Sequence, residues 1–203
     1  MNQHATHTSR TTDTIASRRL RVAATVAAQL APWSEAELLT VTDPWHLPEY
    51  AGSEILPGLF QGGTEDDDVI YFGHGDRYAD AVAYDVIITL YASAQPAPWG
   101  VEEVRYGFLD AGLDGADTGR VIRLARAAFD RWLAGDTVLI RCQAGLNRSG
   151  LVTALVLIMA GLSPAQAIFR IRERRSPAAL FNQDFVTWLL TSAQAAVAED
   201  VAA

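Results

Sequence analysis

The fold is decided by residues 137–160, which read TVLIRCQAGLNRSGLVTALVLIMA. Residues 137–141 form a short run rich in branched apolar side chains, which is typical of a strand covered on both faces. Residues 149–160 predict a buried helix, because the most apolar stretch of the chain, residues 151–162, is too short to span a bilayer. The turn over residues 142–148 therefore lies beyond the carboxyl end of a strand and before the N-terminus of a helix. Open α/β sheets bind their ligands at that place.

The rest of the chain alternates between patterns typical of strands and of helices. Further strands are predicted over residues 55–61, 85–91 and 103–109. Further helices are predicted over residues 18–30, 118–134, 164–175 and 182–198. The second of these helices repeats apolar side chains at helical spacing and places arginines opposite them. This alternation predicts a single α/β domain, with a central, mainly parallel sheet flanked by helices.

Composition and charge limit the domain organisation and the class of partner. The chain has 203 residues, of which 50% are hydrophobic, so it can bury the core of one domain. We expect a disordered polar tail over residues 1–17, a partly helical N-terminal extension over residues 18–50, and the folded domain over residues 51–200. A net charge of −8 disfavours general affinity for nucleic acid or for a membrane surface. The N-terminal residues do not match a secretory signal, so we expect a cytoplasmic protein.

The turn after residue 141 carries residue types that bind and attack a phosphate. Cys142 is the only cysteine of the chain, which excludes a disulfide framework but leaves a nucleophilic thiol. A loop of this length can point its backbone N–H groups inward as a nest for an oxyanion, and Gly145 at its midpoint relaxes the backbone. Helix N-termini and neighbouring cations favour a thiolate over a thiol. Arg148 offers a planar fork for two phosphate oxygens, and the Ser149 hydroxyl can bond the departing thiolate.

The alternative interpretation of Cys142 is a buried structural thiol beside unrelated residues. It requires Gly at position +3, Arg at +6 and Ser or Thr at +7 to occur together by chance, at under about one in a thousand from composition. We therefore interpret the turn as a catalytic loop that binds phosphate.

Cys142, Gly145, Arg148 and Ser149 resemble the signature loop, Cys-x5-Arg-Ser/Thr, of the cysteine-dependent protein tyrosine phosphatase superfamily. The chain is most similar to the compact dual-specificity branch. Three flanking stretches contribute to this similarity: residues 55–62 as the opening strand, residues 85–90 as the core strand after it, and residues 176–185 as the segment before the last helix. The resemblance implies a catalytic domain over residues 51–200, with the loop between a core strand and a helix. Its phosphate-binding loop would comprise Gln143, Ala144, Gly145, Leu146, Asn147 and Arg148.

The resemblance also implies a mechanism for hydrolysing phosphoric monoesters. Cys142 attacks phosphorus and forms a cysteinyl-phosphate, while Arg148 and the loop amides hold the phosphate oxygens. An aspartic acid on a separate loop protonates the leaving group and later acts as a base on water. Asp110, directly after the predicted strand over residues 103–109, matches that acid, and Asp114 in the same loop is the alternative. Ser149 completes the catalytic set.

One residue departs from the family pattern. The family usually places His immediately before the cysteine, where it orients the loop and favours the thiolate, whereas this chain has Arg141. Arginine keeps a donor and a positive charge, but it does not lose that charge near neutral pH. Two interpretations stay open, an active phosphatase and a phosphate-binding pseudophosphatase without turnover.

The substrate implied by the resemblance is a phosphorylated protein, with phosphotyrosine first and phosphoserine or phosphothreonine second. Uncharged side chains at the variable loop positions argue against a phosphoinositide. The ending Asn147-Arg148-Ser149 also occurs in relatives that cleave the 5′-triphosphate of RNA. For that alternative, the candidate basic face is Arg120, Arg123 and Arg126, although the solvated side of a helix explains them as well. We expect no cofactor and no metal, and interpret the carboxylates of residues 65–68 as a solvated turn.

A second group of arginines lies in the predicted helix over residues 164–175. We interpret them as charge on the exposed surface of that helix, with docking of an acidic partner as the alternative. The members are Arg170, Arg172, Arg174 and Arg175.

Overall fold

One sheet lies at the centre of the computed structural model, which describes residues 13–30, 34–41, 46, 48, 51–64, 83–113 and 115–202. Within these residues its five strands are β1 (Gly52–Leu56), β2 (Leu59–Gly62), β3 (Val86–Thr89), β4 (Glu102–Arg105) and β5 (Val138–Arg141). Their order across the sheet is β1-β2-β5-β3-β4. β2, β5, β3 and β4 run parallel, and β1 is antiparallel to β2. The predicted α/β class and the mainly parallel sheet are confirmed.

The strands inside the sheet are buried because their side chains are mostly apolar. All four residues of β3 and the first three of β5 are buried, as expected for strands covered on both faces. The register pairs Arg141, the last residue of β5, with Thr89 on one side and with Gly62 on the other. Three parallel strands therefore end together where the chain enters the turn at Cys142.

Seven α-helices and one π-helix surround the sheet in the described part of the chain. They are α1 (Ile15–Gln29), α2 (Glu35–Leu39), α3 (Gly115–Ala134), α4 (Arg148–Met159), α5 (Pro164–Arg174), α6 (Gln183–Trp188), the π-helix (Leu189–Ala193) and α7 (Gln194–Ala202). Residues 149–158 of α4 are all buried, and this helix packs against α3, α5, β2 and β5. Among the described helices, none is both long and apolar enough to cross a membrane.

The predicted strand over residues 55–61 is in fact a hairpin. β1 ends at Leu56 and β2 begins at Leu59, so Pro57 and Gly58 turn the chain between them. Gly58 has a φ of +79°, in the left-handed region that favours glycine. A Pro-Gly pair is a strong turn signal, and here it outweighs the strand-forming residues on either side.

Two other elements differ from prediction in their extent. The predicted strand over residues 103–109 ends at Arg105, and the following residues run as a loop into the site. The predicted helix over residues 182–198 consists of α6, the π-helix and α7 in succession. Asn182 caps α6, because its side-chain oxygen accepts hydrogen bonds from the N–H groups of Asp184 and Phe185.

The N-terminal helix begins earlier than expected. α1 starts at Ile15, because the Thr14 hydroxyl accepts the N–H of Ser17 at 3.1 Å and closes the first turn. The expectation of a disordered tail over residues 1–17 is therefore wrong for residues 13–17, while residues 1–12 lie outside the described residues.

Arg19 helps to fasten the N-terminal helix to the end of α3. The Arg19 guanidinium donates to three backbone carbonyl oxygens there, those of Trp132, Gly135 and Asp136. Its central carbon also lies 5.5 Å from the ring centroid of the fully buried Trp132. A cation at a helix C-terminus is favourable because the last carbonyls carry partial negative charge.

Candidate active site

Cys142 lies at the floor of the turn that follows β5. Its backbone N–H donates to the Gly62 carbonyl at 3.2 Å, so pairing with β2 fixes its position. The residue is only 2% exposed. Its sulfur lies 3.3 Å from Oγ of Ser149, which is itself fully buried in the first turn of α4. The structure thus brings together the sulfur and the hydroxyl that the sequence singled out.

The backbone carbonyls of residues 143–146 all point away from the inside of this turn. Their hydrogen-bond donors belong to the surrounding scaffold: the N–H of Thr64, the guanidinium of Arg175, the side-chain amide of Gln61 and the N–H of Leu180. In a trans peptide the N–H of one residue points opposite to the carbonyl of the residue before it. The N–H groups of residues 144–147 therefore face inward, and within the described residues they donate to no acceptor. Such an arrangement is a nest for an oxyanion.

Gly145 allows the turn to approach the end of β2. Its φ is +70°, and a Cβ there would lie 2.4 Å from the carbonyl carbon of Gly62 and 2.5 Å from the nitrogen of Gly63. Both the backbone conformation and the space therefore require glycine. Gln143–Arg148, predicted as the phosphate-binding loop, form a turn shaped to hold a tetrahedral anion.

The Arg148 guanidinium is held at the rim of the turn. Its Nη1 donates to the carbonyl of Leu90 at 3.3 Å and to that of Phe108 at 3.2 Å. Its central carbon lies 5.4 Å from the ring centroid of Tyr91. Its Nε is buried and has no hydrogen-bond partner among the described residues. A buried N–H without an acceptor is costly, and a phosphate oxygen would satisfy it.

Asp110 lies at the mouth of the same turn. Its two carboxylate oxygens accept hydrogen bonds from the side-chain amides of Asn147, at 3.0 Å, and of Asn182, at 2.8 Å. The residue is exposed to solvent, as a group that meets substrate must be. Asp114, the alternative acid, lies outside the described residues. The sequence analysis gave Asn182 no role, although it lies in the stretch over residues 176–185 that carried part of the resemblance.

Comparison with solved structures identifies the fold. No family model matches this sequence, and no curated protein matches it. Human DUSP28 superposes with a TM-score of 0.56 at 22% identity, over 75% of this chain and 96% of that one. A mouse protein described as a dual specificity phosphatase, complexed with zinc tungstate, gives 0.58 at 21% identity, over 74% and 91%. OH1 from the Orf virus, described as a tyrosine phosphatase with triple substrate specificity, gives 0.52 at 20% identity, over 78% and 96%.

This chain has the dual-specificity phosphatase fold. The fold expected from the signature loop is therefore confirmed. At these identities the likeness concerns the fold, so the chemistry has to be argued from the residues of this chain.

Arg141, the departure from the family pattern, turns towards the neighbouring strands. Its Nε donates to Oγ1 of Thr89 at 2.9 Å, and its Nη2 donates to the carbonyl of Gln95 at 2.7 Å and to Oε1 of Glu103 at 3.2 Å. Its side chain is 12% exposed, so it forms a largely buried ion pair with Glu103. The position before the nucleophile thus ties β5 to β3, β4 and the loop between them.

Glu103 is the acceptor at the centre of this network. Burial alone would raise the pKa of Glu103, but hydrogen bonds from Thr89, Ala97, Arg141 and Arg105 outweigh it. The pKa of Glu103 therefore lies below its ordinary value of 4.5. A depressed carboxyl pKa stabilises the folded state above the unfolded pKa, and this stabilisation is lost as the pH falls through the folded pKa.

We expect Glu103→Gln to lower the free energy of unfolding by about 2 kcal/mol at pH 7, because two arginines lose a charged acceptor. The gap between the wild type and the variant should narrow once the pH falls below the ordinary value of 4.5. Urea unfolding of both proteins, at neutral pH and at about pH 3.5, measures this gap. A gap of the same size at both pH values would contradict the role given to Glu103.

Arg175 corrects the interpretation of the second arginine group as surface charge. It is 5% exposed, and its Nε donates to the Gly145 carbonyl at 3.0 Å from beneath the turn. Burial lowers the pKa of Arg175 to about 10, and the proximity of Cys142 and Tyr84 acts in the opposite direction. It thus remains a cation at neutral pH, close to Cys142.

The other arginines of this group differ among themselves. Arg172 is also partly buried, and it donates to the carbonyls of Leu38, Ala179 and Leu180. Arg174 is exposed, as predicted. No periodicity in the sequence distinguishes these cases, because the buried arginines satisfy backbone carbonyls that only the tertiary fold brings near.

The structure describes only some of the remaining candidate groups. Arg126, one member of the candidate basic face on α3, pairs with Asp200 of α7 at 3.2 Å. The carboxylates of residues 65–68 lie outside the described residues. Among the residues that the structure does describe, no group of three or more His, Cys, Asp and Glu side chains is placed to hold a metal ion.

Arg175→Lys should weaken the affinity for vanadate, an analogue of phosphate, by about tenfold or more and lower thermal stability. Lysine keeps the charge, but one ammonium group cannot replace a fork that contacts the carbonyls of Ala144 and Gly145. Arg174→Lys is the matched control, because Arg174 is adjacent to Arg175 in the sequence and its side chain is exposed. Vanadate titration and thermal unfolding measure both effects. Equal behaviour of the two variants would show that Arg175 does not shape the turn.

Proposed function

We propose that this protein is a cysteine-dependent phosphatase that hydrolyses phosphoric monoesters on proteins, with phosphotyrosine as the first substrate class and phosphoserine or phosphothreonine as the second. The observation that carries the proposal is the turn over residues 142–149. It combines a Cys142 sulfur that is hydrogen-bonded to Ser149, backbone N–H groups that face inward, and a buried Nε–H of Arg148 that has no acceptor among the described residues. These are the features that an attacking thiolate and a trigonal PO₃ group require.

In the first step, the Cys142 sulfur attacks phosphorus in line with the ester oxygen. The S–P bond forms as the P–O bond to the leaving group breaks. The inward N–H groups and the Arg148 guanidinium hold the three other oxygens while negative charge redistributes over them. Asp110 in its acid form gives its proton to the departing oxygen, so that an alcohol or phenol leaves.

In the second step, a water molecule attacks phosphorus and the S–P bond breaks. Asp110, now a carboxylate, takes a proton from that water, and inorganic phosphate is released. The Ser149 hydroxyl, 3.3 Å from the sulfur, donates to the thiolate as it departs. The protein thereby returns to its starting protonation state with no cofactor required.

The rim of the turn favours a substrate with an apolar group next to the phosphate. Leu109, directly before Asp110, is 81% exposed, and Phe181, directly before Asn182, is 44% exposed. Exposed apolar side chains on both segments that meet at the acid suit the aromatic ring of phosphotyrosine. The variable loop side chains Gln143, Ala144, Leu146 and Asn147 carry no charge for an inositol phosphate.

Two alternatives from the sequence have less support. An inactive phosphate-binding module was suggested by Arg141, but the hydrogen bonds of that side chain lead to Thr89, Gln95 and Glu103 rather than into the turn. An RNA 5′-triphosphatase needs a basic face beside the site, and Arg126 is engaged with Asp200. A cytoplasmic location stays a prediction from sequence.

The decisive experiment is hydrolysis of an aryl phosphate by the full chain in the presence of a metal chelator. We expect turnover that vanadate inhibits, since vanadate fits the same nest. Cys142→Ser should lower kcat by at least about 10³-fold while retaining affinity for phosphate, because only the nucleophile is lost. Asp110→Ala should lower kcat by about 10²-fold with little change in KM.

A panel of phosphotyrosine peptide, phosphothreonine peptide, inositol phosphate and triphosphorylated RNA then separates the substrate classes. Preference for the phosphotyrosine peptide supports the proposal. Phosphopeptide binding by the wild type without turnover would favour the inactive module instead. Full activity of Cys142→Ser would overturn the mechanism.

A further inference from the structure

We propose that Asn147 and Asn182 are positioning residues that hold Asp110 in place for proton transfer, an inference that rests on the proposed function. Together the three residues form a closed ring of hydrogen bonds, called here the acid ring. It joins the phosphate-binding turn, the loop after β4 and the segment before α6, which are far apart in the sequence.

Three hydrogen bonds close the acid ring. The Asn147 amide donates to Oδ2 of Asp110 at 3.0 Å, and the Asn182 amide donates to Oδ1 of Asp110 at 2.8 Å. The backbone N–H of Asn182 donates to Oδ1 of Asn147 at 3.1 Å. Each carboxylate oxygen thus has one fixed donor, and no member can rotate without breaking a bond to another.

The side chain of Asn147 bonds within the acid ring instead of capping α4. It is the N-cap residue of α4, where an asparagine side chain commonly accepts an N–H of the first helical turn, yet its side chain makes no such bond. It is 2% exposed, and both ends of its amide are used within the acid ring. A buried amide with both ends satisfied has a single orientation.

Asn182 supports the acid ring while it also begins a helix. Its side-chain oxygen accepts the N–H groups of Asp184 and Phe185, and its side-chain NH₂ points to Asp110. The first turn of α6 therefore fixes the direction of the amide that holds the acid.

A separate contact ties the same loop to the phosphate-binding arginine. The carbonyl of Phe108, two residues before Asp110, accepts a hydrogen bond from Arg148 at 3.2 Å. Asp110 and Arg148 are therefore held in a fixed relation, through Asn147 on one side and Phe108 on the other. Proton transfer to a departing oxygen requires such a relation, because a displacement of about 1 Å can cost about 10²-fold in rate.

Neutral amides suit a group that must act first as an acid and then as a base. A carboxylate oxygen accepts more than one hydrogen bond, so each oxygen keeps room for a proton beside its amide donor. The acid ring thus fixes the position of both carboxylate oxygens.

The test compares Asn147→Ala with the wild type on two esters that differ in their need for an acid. Phenyl phosphate has a poor leaving group and needs protonation, whereas a fluorinated umbelliferyl phosphate has an acidic leaving group and needs little. We expect kcat/KM on phenyl phosphate to fall by about tenfold or more, and kcat/KM on the activated ester to fall several-fold less, because kcat/KM reports the first step, before the cysteinyl-phosphate that both esters share. A merely structural role would lower both rates equally.

A double-mutant cycle with Asp110→Ala isolates the coupling. If Asn147 acts through the acid, Asn147→Ala should cost less than about twofold on phenyl phosphate once Asp110 is absent. Additive losses in the double variant, or equal losses on the two esters, would overturn the proposal.

Asn182→Ser provides a second variant in case Asn147→Ala does not fold. Serine caps a helix well but lacks the amide that reaches Asp110, so the same dependence on the leaving group is expected. Gln183→Ser is the matched control, because that side chain bonds only the Phe181 carbonyl within the described residues. A wild type that hydrolyses neither ester would overturn the proposed function and the acid ring with it, whereas an active wild type with unselective variants would overturn the acid ring alone.

Discussion

The orientation of four backbone carbonyls is the constraint on which the site depends. A turn of residues 143–146 that kept its carbonyls inside would repel a phosphate, and the scaffold prevents this by offering each carbonyl a donor on the outside. Arg175 is the most demanding of these donors, since a buried guanidinium must be compensated by acceptors. The turn and the buried guanidinium of Arg175 therefore stabilise each other. Only glycine fits at position 145, because a Cβ there would lie 2.5 Å from Nη2 of Arg175.

Three neighbouring parallel strands, β5, β3 and β4, end at the same edge of the sheet, beside this turn. Cys142, the proposed nucleophile, directly follows β5, the chain beyond β3 supplies a carbonyl that holds Arg148, and the chain beyond β4 supplies Asp110, the proposed acid. Backbone hydrogen bonds of the sheet therefore position Cys142 directly and fix where the other two segments leave the sheet. Side-chain hydrogen bonds, such as those of the acid ring, then fix the positions of individual atoms. The loops of the candidate site are thus carried by a rigid sheet.

Most of the fold and the centre of the site could be predicted from sequence, because both leave local patterns. The run over residues 137–160 predicts strand, turn and helix directly, and the spacing of Cys142, Gly145 and Arg148 is a pattern within one turn. The hairpin at Pro57-Gly58 was missed because apolar residues on both sides resemble one strand. The roles of Arg175 and Asn182 could not be predicted, since they depend on contacts between segments far apart in the sequence. The direction of the Arg141 side chain could not be predicted either, since its ion pair with Glu103 joins residues 38 positions apart in the sequence.

The contacts of Arg19 show that the folded unit extends N-terminal to the first strand. It covers the exposed carbonyls at the end of α3 and lies over the ring of Trp132, at the opposite end of β5 from the nucleophile. A shortened protein that started at the first strand would retain every group of the site. It would nevertheless leave three carbonyls and an aromatic face without their cation. Removal of α1 is therefore expected to lower the stability of the protein rather than to alter the turn at Cys142.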